Sequence, residues 1–101
     1  VARARHIEAI IRADLDPVAA VNPIIGEVRG RGAMVALELV VPGTKTPAPD
    51  LATAVAAYCH RAGVLVLQAG TYGNVLRLLP PLVMSDELLT EALGVLVEAL
   101  G

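Results

Sequence analysis

The sequence predicts an α+β domain, a small antiparallel or mixed sheet with helices packed on one face. Three observations carry that expectation. Apolar residues recur at helical spacing at both ends of the 101-residue chain and once near its middle. The run 33–41 is an apolar stretch of strand length broken only by Glu38, and two shorter, mostly apolar runs follow after residue 63. Gly- and Pro-rich punctuation separates these pieces and gives the order α-β-β-α-β-β-α.

The first helix is expected over about Ala2 to Ala20, with Ile7, Ile10, Ile11, Leu15 and Val18 as its apolar stripe. Pro17 should kink it or end it early. Asn22-Pro23 reads as a turn, and Ile24 to Arg29 as a short extended piece. Gly30-Arg31-Gly32 reads as a turn or bulge at the entrance of the next strand. In that strand Val35, Leu37, Leu39 and Val41 share one face, and Met34, Ala36, Glu38 and Val40 the other. Only Glu38 interrupts its apolar character, so both faces are expected to be covered.

Residues 42–49 have the composition of an exposed loop. Asp50 is expected to cap the second helix and Gly63 to take its C-terminal left-handed position. Leu51, Val55, Tyr58 and Ala62 form its expected inner stripe. Short strands follow over Val64 to Gln68 and Asn74 to Leu79, the second ended by Pro80-Pro81. Ser85 is placed to cap the last helix, with Asp86 and Glu87 in its first turn and Leu89, Leu93, Leu96, Val97 and Leu100 on its buried side. Nothing separates domains, so residues 1–101 form one unit. The chain starts mid-pattern with Val1, and the expectation is that it continues a longer polypeptide.

Composition narrows the function classes. The formal net charge is −2 and no basic run exists, which argues against a nucleic-acid partner. The two Tyr, with no Phe or Trp, leave little for base stacking. No uncharged apolar run has the length of a membrane span, and a cytoplasmic protein is expected. A single cysteine, Cys59, cannot close an internal disulfide and reads as a small buried residue. No Cys and His have the spacing of a zinc site, so no metal is expected.

The candidate chemistry centres on Arg77. A guanidinium in an apolar strand is costly to bury without a partner, so it points to water or is met by an anion. Its planar fork suits a carboxylate or phosphate, and Gly70 and Gly73 allow a tight turn beside it. The bland alternatives are an arginine on an edge strand or a pair with Glu38. His6 and His60 read as surface residues, and Glu38 as an arginine partner rather than a catalyst. Lys45, the one lysine, falls in a wet loop unsuited to lowering its pKa.

Two stretches carry a family resemblance. They are Gly26-Glu27-Val28-Arg29-Gly30-Arg31-Gly32-Ala33-Met34-Val35-Ala36-Leu37-Glu38-Leu39 and Gly70-Thr71-Tyr72-Gly73-Asn74-Val75-Leu76-Arg77-Leu78-Leu79-Pro80-Pro81-Leu82. Their order, with a helix between them, resembles the C-terminal small domain of class III aminotransferases, pyridoxal-phosphate enzymes of fold type I. The Thr-Tyr-Gly-Asn lead-in is similar to the 4-aminobutyrate branch. The resemblance covers nearly the whole chain.

It implies that Arg77 binds the substrate carboxylate of 2-oxoglutarate or glutamate in a transfer of the amino group from 4-aminobutyrate. It implies homodimers. It also implies that the Schiff-base lysine and most pyridoxal phosphate contacts belong to a large domain preceding this region. No catalytic or cofactor-binding residue of the family maps onto this chain, which is then inactive alone. The alternative is a free-standing amino-acid-binding regulatory α+β module, for which a ligand-induced thermal shift on the isolated chain would speak.

Overall fold

The computed structural model describes residues 2–31, 34–64, 66–78 and 85–101. The elements follow the expected order: α1 (Ala2–Val21), β1 (Ile25–Arg31), β2 (Met34–Leu39), α2 (Pro49–Arg61), β3 (Leu67–Ala69), β4 (Val75–Leu78) and α3 (Asp86–Leu100). The four strands form one antiparallel sheet in the order β1-β2-β4-β3. Helix α1 lies against β1 and β2, α2 lies against β2, β3 and β4, and α3 rests on α1 and α2. The expected α+β layer, with helices on one face of the sheet, is what the chain forms.

The core is aliphatic because the chain has no Phe or Trp to fill it. Ile7, Ile11 and Leu15 of α1 share one cluster with Val35, Leu37 and Leu39 of β2 and Leu76 of β4, all fully buried. Ala52 and Cys59 of α2 and Leu93 and Leu96 of α3 close the cluster. Burying each Leu or Ile side chain contributes about 1.5–3 kcal/mol before its ordering entropy is counted.

Helix α1 runs through Pro17 to Val21, close to the expected end near Ala20, and the proline does not end it early. Pro17 is exposed and lies in the closing turns, where Leu15 and Val18 still pack inward and Asn22 N–H donates to the Val18 carbonyl at 2.8 Å. The missing proline donor therefore costs one exposed bond rather than the helix. The Asn22-Pro23 turn forms as expected: Asn22 Oδ1 accepts from Ile24 N–H, and Asn22 Nδ2 donates to the Leu100 carbonyl, tying α1 to the end of α3.

Gly30 and Arg31 belong to β1 rather than to a turn or bulge. The irregularity lies earlier, between Ile25 and Glu27. Gly32 and Ala33 lie outside the described residues, as do Val1, Leu65, Leu79, the Pro80-Pro81 pair and residues 82–84.

Helix α2 starts at Pro49, with Ala48 at the N-cap position and no side-chain cap bond. Asp50 sits inside the first turn instead of capping it. Proline takes the first helical position because its absent N–H has no partner there in any case. The inner face of α2 is Ala52, Val55, Ala56 and Cys59, which shares only Val55 with the expected stripe. Ala62 is exposed beyond the helix, and Leu51 and Tyr58 lie at the margin. Gly63 does take the left-handed position, at φ +83°.

Tyr58 reaches α3 and donates to Glu98 Oε1 at 2.6 Å. That bond, made to the neutral phenol, raises the Tyr58 pKa above its ordinary value. Ser85 caps α3 as expected, its Oγ accepting from Leu88 N–H.

Candidate functional site

The two faces of the sheet differ. Val35, Leu37 and Leu39 of β2 are fully buried under the helices, whereas Met34 on the opposite face is 47% exposed. The expectation that both faces of this strand are covered fails here, because all three helices lie on one side. Period-2 alternation then fixes which residues line the open face.

Register fills in that face. Ala36 of β2 pairs with Arg29 of β1 on one side and with Arg77 of β4 on the other, and Arg77 pairs in turn with Leu67 of β3. The adjoining row is Glu27, Glu38, Val75 and Ala69. Arg77 thus stands in an interior strand, not at an edge. It is exposed because its face of the sheet is open.

A concavity of about 370 Å³ opens on this face, lined by Arg29, Gly30, Met34, Ala36, Gly70, Val75 and Arg77. Ala36 carries no side chain beyond Cβ, so the space between the two arginine strands stays clear. The strands of Arg29 and Arg77 are two spacings apart, about 10 Å. Gly70 forms the rim of the concavity at φ +90°, and a Cβ there would sit 2.8 Å from Val75 Cγ2. The β3–β4 turn is closed by Gly73 N–H donating to the Gly70 carbonyl at 3.1 Å. Gln68 holds it from outside, its Nε2 donating to the carbonyls of Gly73 and Pro49.

Asn74 starts the run into β4 and is the one polar side chain in the buried set of described residues, at 4% exposure. Its Nδ2 donates to the Leu39 carbonyl at 2.9 Å, while Leu39 N–H donates to the Asn74 carbonyl at 2.8 Å. Side chain and backbone together lock this end of β4 to β2, which fixes the height of Arg77 on the sheet.

The charges on the open face are unevenly paired. Arg29 Nη1 lies 3.4 Å from Glu27 Oε2 and 3.5 Å from Glu38 Oε2. The Arg77 side chain makes no hydrogen bond or ion pair with any described residue. Glu38 is therefore an arginine partner, as expected, but its arginine is Arg29. Sequence reasoning gave Arg29 no role. The signal was there: Glu27 and Arg29 stand two positions apart in β1, which sets them on one face.

The remaining candidates fall away from the concavity. His6 is exposed and pairs with Asp86, and the exposed His60 meets the Val66 carbonyl. Cys59 is buried, and burial pushes its thiol pKa up, away from a reactive thiolate. Among the described residues no group of His, Cys, Asp or Glu is assembled to hold a metal ion. No helix among them is long and apolar enough to cross a membrane.

Comparison with known proteins decides the family. A family model described as aminotransferase class-III matches residues 1–100. The chain belongs to the class III aminotransferase family. It is 50% identical over 99 residues to the 4-aminobutyrate aminotransferase of Mycobacterium leprae, covering 98% of this chain and 22% of that protein. It is 40% identical over 96 residues to the 5-aminovalerate aminotransferase DavT of Pseudomonas putida, with 95% and 23% covered. Among solved structures it superposes on an Arthrobacter phospholyase in complex with phosphoethanolamine, with a TM-score of 0.91 and 33% identity over 98% of this chain and 24% of that one. A Bacillus anthracis aminotransferase gives a TM-score of 0.87 at 30% identity, with 97% and 23% covered. The chain spans under a quarter of the length of these relatives.

Class III aminotransferases depend on pyridoxal phosphate, and the described residues do not fit that cofactor. Its carbonyl needs a lysine amine in a desolvated pocket. The one lysine, Lys45, is exposed in the 42–46 turn and does not line the concavity. What the class III chain offers at its open face is a guanidinium suited to an anion.

Proposed function

We infer that this chain is the small domain of a pyridoxal-phosphate-dependent class III aminotransferase, and that Arg77 holds the carboxylate of its acid substrates. One observation carries the reading. A guanidinium with no partner among the described residues stands at a concavity on the uncovered face of the sheet. A carboxylate arriving there gains two parallel charge-assisted hydrogen bonds from the planar fork, which fix its orientation as well as its position. Asn74 and the Gly70 turn fix the backbone of the strand that carries the fork, and the arriving carboxylate orders the side chain itself.

The reaction we propose moves the amino group of 4-aminobutyrate to 2-oxoglutarate, giving succinate semialdehyde and glutamate. The greater identity to 4-aminobutyrate aminotransferase than to the 5-aminovalerate enzyme supports that donor. The chain's share is binding and orientation of the acid, and no proton transfer falls to it. The cofactor lysine belongs to the large domain of the proposed full-length enzyme. A cytoplasmic homodimer completes the reading and rests on family likeness.

The test uses the full-length enzyme containing this chain. Arg77→Ala is expected to raise the KM for 2-oxoglutarate by about ten- to a hundredfold, the usual size of a lost charge-assisted hydrogen bond. An unchanged KM removes the assigned role.

A further inference from the structure

Glu38 lies diagonal to two arginines at once. Its neighbour Ala36, two residues along β2, is in register with both Arg29 and Arg77. Diagonal partners on one face of antiparallel strands stand about 7–8 Å apart at Cα, within reach of Glu and Arg side chains. The Glu38 carboxylate can therefore be drawn to either guanidinium. It lies 3.5 Å from Arg29 Nη1, and Arg77 has no partner among the described residues. Glu27 reinforces the choice, because its carboxylate lies 3.4 Å from the same Arg29 nitrogen and holds that side chain on the β1 side of the concavity.

We propose that Arg29 is a positioning residue that holds Glu38 on the β1 side of the sheet and so keeps Arg77 open to an incoming carboxylate. The chemistry is competition. A carboxylate tethered one diagonal away is always present, and any time it spends on Arg77 reduces the binding of a free acid by the same fraction. Arg29 offers that carboxylate a second cation on the far side of Ala36. Removing the Arg29 charge leaves Glu38 beside Glu27, its register partner, and like charges directly opposed push it toward Arg77. This inference rests on the carboxylate-binding role proposed for Arg77 and adds a device that regulates access to it.

The test is steady-state kinetics of the full-length enzyme with 2-oxoglutarate varied. Arg29→Gln is expected to raise the KM for 2-oxoglutarate roughly two- to fivefold, the range of an exposed cross-strand ion pair, with kcat retained. Adding Glu38→Gln to that variant removes the competitor and should return KM to the parental value. Arg29→Lys keeps the charge and should stay close to the parent, which guards against a simple loss of packing. The proposal is overturned if Arg29→Gln leaves KM unchanged, or if the double variant binds as weakly as the single one. Arg77→Ala in parallel separates the two readings. If it weakens 2-oxoglutarate while Arg29→Gln does not, only the role of Arg29 is lost. If Arg77→Ala also has no effect, the carboxylate-binding role itself is lost.

Discussion

Asp86 opens α3 and reaches back to α1, where Arg3 Nη1 lies 3.0 Å from its Oδ1 and His6 Nε2 lies 2.8 Å from its Oδ2. The hydrogen bond with His6, then that with Arg3, holds its carboxyl below the ordinary value of 3.8. A carboxylate whose pKa is lowered by folding contributes stability above its unfolded pKa and loses it as the pH falls through the folded value. Asp86→Asn should therefore lower the thermal midpoint at pH 5–7, and the gap between variant and parent should close as the pH drops below 3.8. A gap that stayed constant down to pH 2 would show that the carboxylate charge is not the cause. The whole contact is exposed, so the effect is small and shrinks with added salt. At this scale the sequence was only half informative. It placed Asp86 in a first helical turn, but His6 and Arg3 lie 80 and 83 positions away in the chain.

The β3–β4 turn shows how an element is set by its glycines. Gly70 and Gly63 both have positive φ, +90° and +83°, yet their surroundings differ. A Cβ at Gly63 meets nothing within 4 Å, whereas one at Gly70 strikes Val75 Cγ2. Both alanine variants carry the cost of a left-handed residue, about 1–2 kcal/mol. Gly70→Ala should cost more in chemical denaturation, because Val75 is 9% exposed and anchored in β4. Equal losses at the two sites would mean that the turn gives way. Helix α2 teaches the complementary lesson. Its expected stripe included Ala62, while the packed stripe is Ala52, Val55, Ala56 and Cys59. In an alanine-rich segment several faces are nearly equally apolar, and contact with β2, β3 and β4 selects among them.

At the scale of the whole molecule, the sheet is a partition between a packed side and an open one. Leu76 is fully buried and Leu67 is 46% exposed, although both are leucines in adjoining strands. Leu76→Ala should destabilise the protein by about 2–5 kcal/mol in denaturant titration, and Leu67→Ala by no more than about 0.5 kcal/mol. The same architecture superposes on a phospholyase as well as on aminotransferases, so the domain supplies a platform and does not by itself dictate the reaction. By itself the sequence determined the order of the seven elements, the layered class, the inward residues of α1 and α3, and the oddity of one arginine in an apolar strand. Those follow from periodicity and local chain stiffness, which every short window of residues carries. Only the tertiary structure decided that one face of β2 stays open, that β4 lies inside the sheet, and that Glu38 pairs with Arg29 rather than Arg77. Those facts depend on strand order and register, which bring together β1, β2 and β4 from distant parts of the chain, and no local pattern encodes which strand becomes the neighbour of which.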